Sequence, residues 1–369
     1  MTNEKTKKKN GILFIAVGIV AIALAVWKAP GIFTKPGASV KTKIEFQKGM
    51  CYATWNKSRY AAEGSDESLG AMAKTGTKWA AIMVNWYQDK CYTTSIFPTE
   101  KSASDESLIH AIDKMHSLGM KVMLKPHLDV IDTSGGSWRG EIACVSDPDW
   151  EVWFDSYGEF IKRYAKIAEE HKVELFCIGT ELTSVATIKE NLWKEKVIAP
   201  VRLIYKGPLT YAANWSEEYT HVKFWDSLDY VGIDAYFPLS EKERPTLEDI
   251  KKGWEPWVKE LEEFQAKVNK PIIFPEIGYC SALGTAKTPW EEVGNGYRSI
   301  DLDLQADCYR ALLETFWDKD WFYGVYWWRW GTDVRFGGPS NTGYTLQNKP
   351  AQQIVTDWYV KPVPKKSRY

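Results

Sequence analysis

Residues 174–182 read ELFCIGTEL, and residues 271–279 read PIIFPEIGY. Both segments are apolar at consecutive positions, without the alternation of a strand that has one face in water. Such runs are typical of strands that are buried on both faces of a parallel sheet. Each run stops abruptly at a glutamate, Glu181 or Glu276, with a glycine two residues away. The two segments therefore predict parallel strands that end in carboxylates.

The same kind of apolar run recurs along the chain and alternates with helical patterns. Six further strand-like runs occur at 49–53, 79–85, 121–126, 209–213, 230–235 and 324–328. Helical patterns occur at 66–74, 105–118, 150–171, 188–205, 247–268 and 302–317. Eight strand-helix units between residues 44 and 360 predict an α/β fold of the (β/α)8 TIM-barrel type, which typically takes about 250 residues or more. A doubly wound open sheet is the alternative, but no GxGxxG or GxxxxGK motif follows an early strand.

Charge and composition exclude one class of protein and favour another. The 369-residue chain has 47 lysines and arginines against 48 aspartates and glutamates, a formal net charge of −1. Nucleic-acid-binding proteins normally show a marked basic excess, so we expect no nucleic acid partner. Aromatic residues are abundant, with 19 Trp, 19 Tyr and 14 Phe. Because aromatic rings make flat platforms for ligands, this composition favours a domain that handles ligands.

The amino terminus differs in character from the rest of the chain. Lysines at positions 5, 7, 8 and 9 precede an uncharged run at residues 11–27. At this length, a cleaved signal peptide and an uncleaved membrane anchor both remain open for residues 1–27. Basic residues beside such a run stay in the cytoplasm, so we expect the remaining chain to be extracytoplasmic. It is then secreted, or anchored to the cell membrane by this segment alone.

The remaining chain divides into three predicted segments. Residues 28–43 contain Pro30, Gly31, Pro36 and Gly37 and are interpreted as a linker. The predicted barrel domain spans residues 44–360, and residues 361–369 form a carboxyl-terminal tail.

The six cysteines lie at positions 51, 91, 144, 177, 280 and 308. Export permits disulfides, and the number is even, but the pairing does not follow from spacing. There is no CxxC pair and no Cys/His cluster, so we expect no zinc site. Cys177 lies inside an apolar strand and is predicted to be a buried thiol.

In a barrel of this type, chemistry takes place at the carboxyl ends of the strands. The polar and aromatic residues at those ends are, in chain order, Trp55, Asn85, Trp86, His127, Asp129, Glu181, Asn214, Trp215, Asp234, Tyr236, Glu276, Trp327 and Trp328. Carboxylates at buried strand ends are costly unless they are paired or solvated in a cleft. Either glutamate alone is equally well read as a hydrogen-bonded structural acid. Two carboxylates across an aromatic cleft, however, are the arrangement that glycoside hydrolysis requires.

The chain resembles glycoside hydrolase family 113, the β-mannanases of the retaining clan A, which are built on (β/α)8 barrels. The resemblance spans about residues 46–352. Its motifs are KVMLKPHLDV and SWRGEI within 121–142, ELFCIGTEL at 174–182, LTYAANW at 209–215, FWDSLDYVGIDAYFPL at 224–239, KPIIFPEIGY at 270–279 and GVYWWRW at 324–330.

The resemblance implies a role for each glutamate. Glu181 corresponds to the general acid/base, which must hold a proton near neutral pH, and Glu276 corresponds to the nucleophile, which must stay ionised. Tyr236 is similar to the clan tyrosine that hydrogen-bonds the nucleophile. Two positions depart from the clan pattern: Thr180 replaces the asparagine that usually precedes the acid/base, and Asp234 replaces a histidine on strand 6. Because the 2-hydroxyl is axial in mannose, altered contacts there are compatible with mannosides.

Other residues are candidates for binding the substrate. His127 and Asn214 are placed to hydrogen-bond sugar hydroxyls, although a structural role is nearly as plausible for each. Trp328 is the candidate floor for the sugar at the cleavage point, but the sequence does not decide which strand-8 tryptophan points inward. Further substrate contacts are expected from Asp234 and Trp138, and additional subsites from Trp86 and Trp215.

Together, these features predict a retaining endo-β-1,4-mannanase that acts on mannan, glucomannan or manno-oligosaccharides. We expect it to act as a monomer and to need no metal or organic cofactor, because two carboxylates suffice for the reaction. One alternative is another β-1,4-glycanase that acts on glucan or xylan. The other is a catalytically silent barrel that binds glycans with the same aromatic cleft.

Overall fold

The computed structural model of the chain describes residues 44–293, 298–366 and 369. The predictions for residues 1–43 therefore lie outside the described residues. Within the described part, no helix combines the length and apolarity needed to cross a membrane.

Eight parallel strands form a closed barrel in the order in which they occur along the chain. The strands are β1 (Gln47–Tyr52), β2 (Trp79–Gln88), β3 (Lys121–Val130), β4 (Leu175–Thr180), β5 (Leu209–Asn214), β6 (Val231–Asp234), β7 (Ile272–Ile277) and β8 (Phe322–Trp330). Strand β8 pairs with β1 and closes the barrel. The eight predicted strands and the TIM-barrel fold are confirmed.

Helices follow the strands and cover the outside of the barrel. They are α1 (Glu63–Lys74), α2 (Asp105–Ser117), α3 (Asp147–Glu170), α4 (Thr183–Ile188), α5 (Glu190–Leu192), α6 (Ala199–Ile204), α7 (Glu218–His221), α8 (Leu247–Val268), α9 (Leu302–Phe316) and α10 (Pro350–Tyr359). A π-helical turn spans Trp193–Ile198, and 3₁₀ turns span Arg59–Ala61, Ser134–Gly136, Arg139–Glu141 and Trp225–Ser227. Capping boxes at Ser146 and Thr246 start α3 and α8.

Two helical regions differ from the prediction. The single helix expected at 188–205 is broken into α4, α5, the π-turn and α6, and Pro200 lies in the first turn of α6. Proline lacks an amide hydrogen and fits best at a helix start, so it favours a new helix there. Helix α10 was not predicted, because Lys349 at its start gives no side-chain cap that would mark it.

The core has two layers, which explains the unbroken apolar character of the strands. The outer layer packs alternate strand residues against the helices. The inner layer fills the barrel with the other residues, among them Cys51, Met123, Cys177, Ala212 and Ile273. Cys177 is fully buried, as predicted, and all six cysteines are unpaired. This inner layer fills the barrel interior below the carboxyl ends of the strands.

Candidate active site

A cleft of about 980 Å³ opens at the carboxyl ends of the strands. Both predicted glutamates, Glu181 and Glu276, line it. The aromatic residues that line it are Trp55, Tyr87, Trp138, Trp215, Tyr236, Trp290, Trp328 and Tyr344. The cleft therefore combines two carboxyl groups with walls made largely of rings.

The backbone at the end of β4 aims Glu181 into the cleft. Glu181 adopts a left-handed conformation with φ of 50°, which costs about 1–2 kcal/mol for a non-glycine residue. Hydrogen bonds on both sides hold this turn: the Glu181 amide donates to the Ala212 carbonyl at 2.8 Å, and the Leu182 amide donates to the Tyr211 hydroxyl at 2.8 Å. Strained backbone that is fixed in this way is common at functional sites.

The environment of Glu181 favours its protonated form. The side-chain amide of Asn214 donates to Glu181 Oε1 at 2.8 Å, and Arg139 approaches Glu181 Oε2 at 3.4 Å. Burial raises the pKa of Glu181, and Arg139 opposes this rise. A carboxyl group with a raised pKa keeps its proton nearer to neutral pH and can act as a general acid.

Asn214 is itself fixed by the buried carboxyl group of Glu218. Glu218 accepts hydrogen bonds from the backbone amide of Asn214 at 2.7 Å and from the Tyr211 hydroxyl at 2.5 Å. Burial raises the pKa of Glu218 to about 8. The same acid thus braces Asn214 and, through Tyr211, the backbone that follows Glu181.

Glu276, at the end of β7, has a donor on each carboxylate oxygen. The Tyr236 hydroxyl donates to Oε1 at 2.8 Å, and Lys125 Nζ donates to Oε2 at 2.7 Å. Burial and the neighbouring carboxylate of Glu276 raise the pKa of Tyr236 well above its usual value, so the phenol keeps the proton that it donates. The two donors hold both oxygens of Glu276 and fix the orientation of its carboxyl group.

Asp234, which we expected to contact the substrate, lies below the cleft-lining residues described. It is fully buried, is not among the described residues that line the cleft, and contacts Lys125 Nζ at 3.2 and 3.3 Å. It is the register partner of Glu276 across β6 and β7. In the described structure, therefore, Asp234 faces a buried cation rather than the space that a sugar would occupy. Thr180 is also buried, and its hydroxyl has no hydrogen-bond partner among the described residues.

His127 lines the cleft with two unused ring nitrogens. It is almost fully buried, and neither nitrogen has a hydrogen-bond partner among the described residues. Burial, with the nearby cations Lys125 and Arg139, lowers the pKa of His127 well below its usual value. A neutral imidazole offers one donor and one acceptor, which suits a sugar hydroxyl.

Three of the tryptophans that were predicted as substrate platforms line the cleft. Trp328 lines the cleft and stacks near the His127 ring at 6.5 Å, while Trp327 and Trp330 of the same strand are buried. Trp138 lines the rim and is 39% exposed. Trp215 also lines the cleft, where it stacks on Trp290 at 5.1 Å.

Trp86 is placed differently from these platforms. Its ring packs on Phe160 and donates to the Tyr164 hydroxyl at 2.8 Å, and it is not among the cleft-lining residues described. A further subsite built on Trp86 therefore has no support in this arrangement.

Several residues of the site were not predicted from the sequence, among them Lys125, Arg139, Trp290 and Tyr344. Lys125 could have been identified, because it is a charged residue in the middle of an apolar strand. Alternate residues of a strand point to the same side, so Lys125 points inward with His127. Arg139 belongs to the SWRGEI segment, where it binds Asp129 and approaches Glu181. Trp290 and Tyr344 lie in loops far from any strand end, so strand position gives no signal for them.

Two carboxyl groups in one aromatic cleft, one with a raised pKa and the other held by two hydrogen-bond donors, are the arrangement of a glycoside hydrolase. The family model of Glycoside Hydrolase Family 113 matches residues 50–349. The chain belongs to this family, and the predicted resemblance is confirmed.

Solved structures of similar fold agree with this assignment. A complex of a GH113 β-1,4-mannanase superposes with a TM-score of 0.76 and 30% identity, covering 85% of this chain and 99% of that one. The GH113 β-mannanase AaManA from Alicyclobacillus acidocaldarius, in complex with ManMIm, has a TM-score of 0.76 and 29% identity, covering 86% and 98%. The β-glucuronidase of Ruminococcus gnavus shares only the fold, with a TM-score of 0.58 and 14% identity over 85% of this chain and 50% of that one. No curated protein sequence matches the chain.

Proposed function

We propose that this glycoside hydrolase is a retaining endo-β-1,4-mannanase in which Glu181 is the general acid/base and Glu276 the nucleophile. The observation that carries the proposal is the contrast between the two glutamates. Desolvation raises the pKa of the half-buried Glu181, whereas Glu276 has a close donor on each oxygen, the Tyr236 hydroxyl and the Lys125 ammonium. A carboxyl group with a raised pKa suits the general acid, and a carboxyl group fixed by donors on both oxygens suits the nucleophile.

The first half of the reaction forms a covalent intermediate. A carboxylate oxygen of Glu276 bonds to the anomeric carbon while the bond from that carbon to the bridging oxygen breaks. Glu181 gives its proton to the departing oxygen, so the leaving chain departs as an alcohol. The glycosyl cation that develops between these events is stabilised by the negative charge of Glu276.

The second half releases the sugar and restores both groups. Glu181, now ionised, takes a proton from a water molecule as the water oxygen bonds to the anomeric carbon. The ester bond to Glu276 breaks, and its electron pair returns to the carboxylate. Two displacements at one carbon give net retention of configuration.

The relatives favour mannan as the substrate, and the cleft favours internal cleavage of the chain. The alignments with the two mannanase structures, at 29–30% identity, include almost the whole of each mannanase chain. Trp55 and Trp138 line the cleft and are each 39% exposed, so rings are available beyond the two glutamates. A cleft with exposed platforms suits internal cleavage of a chain, because sugars on both sides of the cut have a surface on which to stack.

The test is release of reducing sugar from linear mannan, glucomannan, cellulose and xylan by the purified chain from Lys41 onward. We expect release from mannan and glucomannan, and its loss in Glu181→Ala and Glu276→Ala variants that keep the wild-type circular dichroism. Exposed Glu263 provides the matched control, and Glu263→Ala should keep full activity.

Each alternative function has a distinct outcome in the same assay. Release from cellulose or xylan would keep the mechanism and overturn the choice of mannose. No release from any polymer, with mannan still binding to the folded chain, would favour a glycan-binding barrel. Full activity in both glutamate variants would show that the site is misplaced.

A further inference from the structure

A lysine crosses the interior of the barrel to reach the nucleophile. Lys125 lies in the middle of β3, whereas Asp234 and Glu276 lie at the ends of β6 and β7. Because β3 is separated from β6 by two strands and from β7 by three, these groups stand on opposite walls of the barrel. The ammonium nitrogen nevertheless lies 2.7 Å from Glu276 Oε2 and 3.2 Å from Asp234 Oδ2.

The trio is closed off from water. The side chains of Lys125 and Asp234 are 2% and 0% exposed, and that of Glu276 is 9% exposed. Apolar residues of the inner core, including Met123, lie beneath them. Among the described residues, Lys125 is the only cation with a nitrogen within 4 Å of the Glu276 carboxylate.

Burying a lysine is costly unless its charge is compensated. An unpaired ammonium inside a protein loses its proton or destabilises the fold. Burial opposes the charge on Lys125, but Asp234 and Glu276 outweigh it and raise the pKa of Lys125. Burial raises the pKa of Asp234 well above its usual value, while Lys125 opposes that rise. The lysine is thus held charged by two carboxylates, of which one faces the cleft and one does not.

We propose that Lys125 and Asp234 form a positioning pair for the nucleophile: the ammonium holds the Glu276 carboxylate in its orientation, and Asp234 keeps the ammonium in place. This inference rests on the proposed function, in which Glu276 is the nucleophile. Neither residue needs to touch the sugar, since both act through Glu276.

The pair answers a problem of charge during the reaction. In the free enzyme, Glu276 is a carboxylate and takes the shorter contact with Lys125. In the glycosyl-enzyme, the same group is an ester and carries no charge. Without Asp234, the buried ammonium would then lack a counterion. With Asp234, the lysine keeps a partner in both states and stays where Glu276 needs it for the return step.

Several other titratable or charged groups interact with Glu276. They are Cys51 on β1, Arg139 after β3, Glu181 after β4, Tyr236 after β6, Arg329 on β8 and Tyr344 in the loop that follows β8. A test of the pair must therefore leave these groups unchanged and must not depend on the acid Glu181.

A slow substrate with an activated leaving group meets both needs. In 2,4-dinitrophenyl 2-deoxy-2-fluoro-β-mannobioside, the dinitrophenolate departs with its electron pair and requires no proton. Glu276 forms the glycosyl ester, and the fluorine slows its hydrolysis. The first-order rate of phenolate release is measured against pH, and mass spectrometry of peptides locates the label.

We expect Lys125→Met to lower this rate by about 100-fold, the scale for loss of a preorganised charge in an active site. The acidic limb of the profile should move to higher pH by about one unit or more, because Glu276 loses its cation. Lys125→Arg should return the limb towards the wild-type position. Lys121→Met, on the same strand but paired with Glu45 away from the cleft, is the control and should match the wild type.

Asp234→Asn should behave differently from Lys125→Met. In this variant, Lys125 no longer shares its charge between Asp234 and Glu276. The acidic limb should therefore stay in place or move to lower pH, while the rate falls. If Lys125→Met is not recovered folded, the Lys125→Met/Asp234→Asn double variant, compared with Asp234→Asn, carries the same expected upward shift.

The outcomes separate this inference from the proposed function. An unlabelled Glu276 in the wild type would overturn both. A labelled wild type, together with a Lys125→Met variant of unchanged rate and profile, would overturn the positioning pair alone. An upward shift in Asp234→Asn, like that of Lys125→Met, would also overturn it, because it would show that both changes only loosen the barrel.

Discussion

The guanidinium of Arg139 lies 3.4 Å from Glu181 and also binds Asp129. Burial raises the pKa of Glu181, and Arg139 acts against this rise. A single residue in the loop after β3 therefore limits how far into the alkaline range the acid keeps its proton.

We predict that Arg139→Gln moves the alkaline limb of kcat/KM to higher pH. Removal of the cation raises the pKa of Glu181 further, so the general acid stays protonated over a wider range, by about one pH unit. The measurement is the pH profile for an unactivated manno-oligosaccharide, whose departure needs the acid. Arg163→Gln, at an exposed ion pair with Asp105, is the control. A limb that stays in place or moves to lower pH would contradict this account of Arg139.

At the scale of residues, the sequence predicts what strand ends reveal and little else. Glu181 and Glu276 could be identified because each ends an apolar run, where a lone charge is expensive. The role of Asp234 could not, because its orientation depends on a lysine from the far wall of the barrel. A contact between β3 and β6 joins positions that are far apart in the chain, and no local pattern encodes it.

At the scale of elements, the segment from β5 to α7 acts as a brace for the acid/base. Glu218, at the start of α7, accepts hydrogen bonds from Asn214, Tyr211 and Thr183. Asn214 then contacts Glu181, and Tyr211 holds the amide of Leu182. A four-residue helix thus connects two neighbouring strand ends.

This brace predicts a pH dependence of stability. The pKa of Glu218 is about 8 in the folded chain, above its value of about 4.3 when unfolded. Between these values the folded state binds more protons, so the unfolding free energy falls as pH rises from about 4 to 8. We expect Glu218→Gln, which has no proton to lose, to flatten this fall in urea titrations from pH 5 to pH 8. Exposed Glu263→Gln should keep the wild-type slope, and an equally steep fall in Glu218→Gln would refute the assignment.

Elements with strong end signals were predicted well, and those without were not. Helix α8 has a capping box at Thr246, and the predicted range 247–268 coincides with Leu247–Val268. The prediction for the region after β4 is wrong, because the apolar periodicity of the sequence runs across Pro200, where the chain starts a new helix. Periodicity reports which face is buried, but it does not report interruptions that tertiary contacts permit.

At the scale of the whole molecule, the eight apolar runs are sufficient to predict the barrel. A strand that is buried on both faces requires helices on one side and packed side chains on the other, and eight such strand-helix units fit a closed barrel. The cleft follows less directly from the sequence, because Trp290 and Tyr344 reach it from loops. Loop shape depends on contacts among distant segments, so the extent of the binding surface could not be predicted.

The central claim is that this family 113 hydrolase cleaves β-mannosidic bonds with retention through Glu276. The most direct measurement is proton NMR of the first products released from mannopentaose, before the reducing ends mutarotate. The account predicts that the new reducing end appears first as the β-anomer and that the α-anomer grows in later. Initial appearance of the α-anomer would mean a single displacement and would contradict the assignment of Glu276 as a nucleophile.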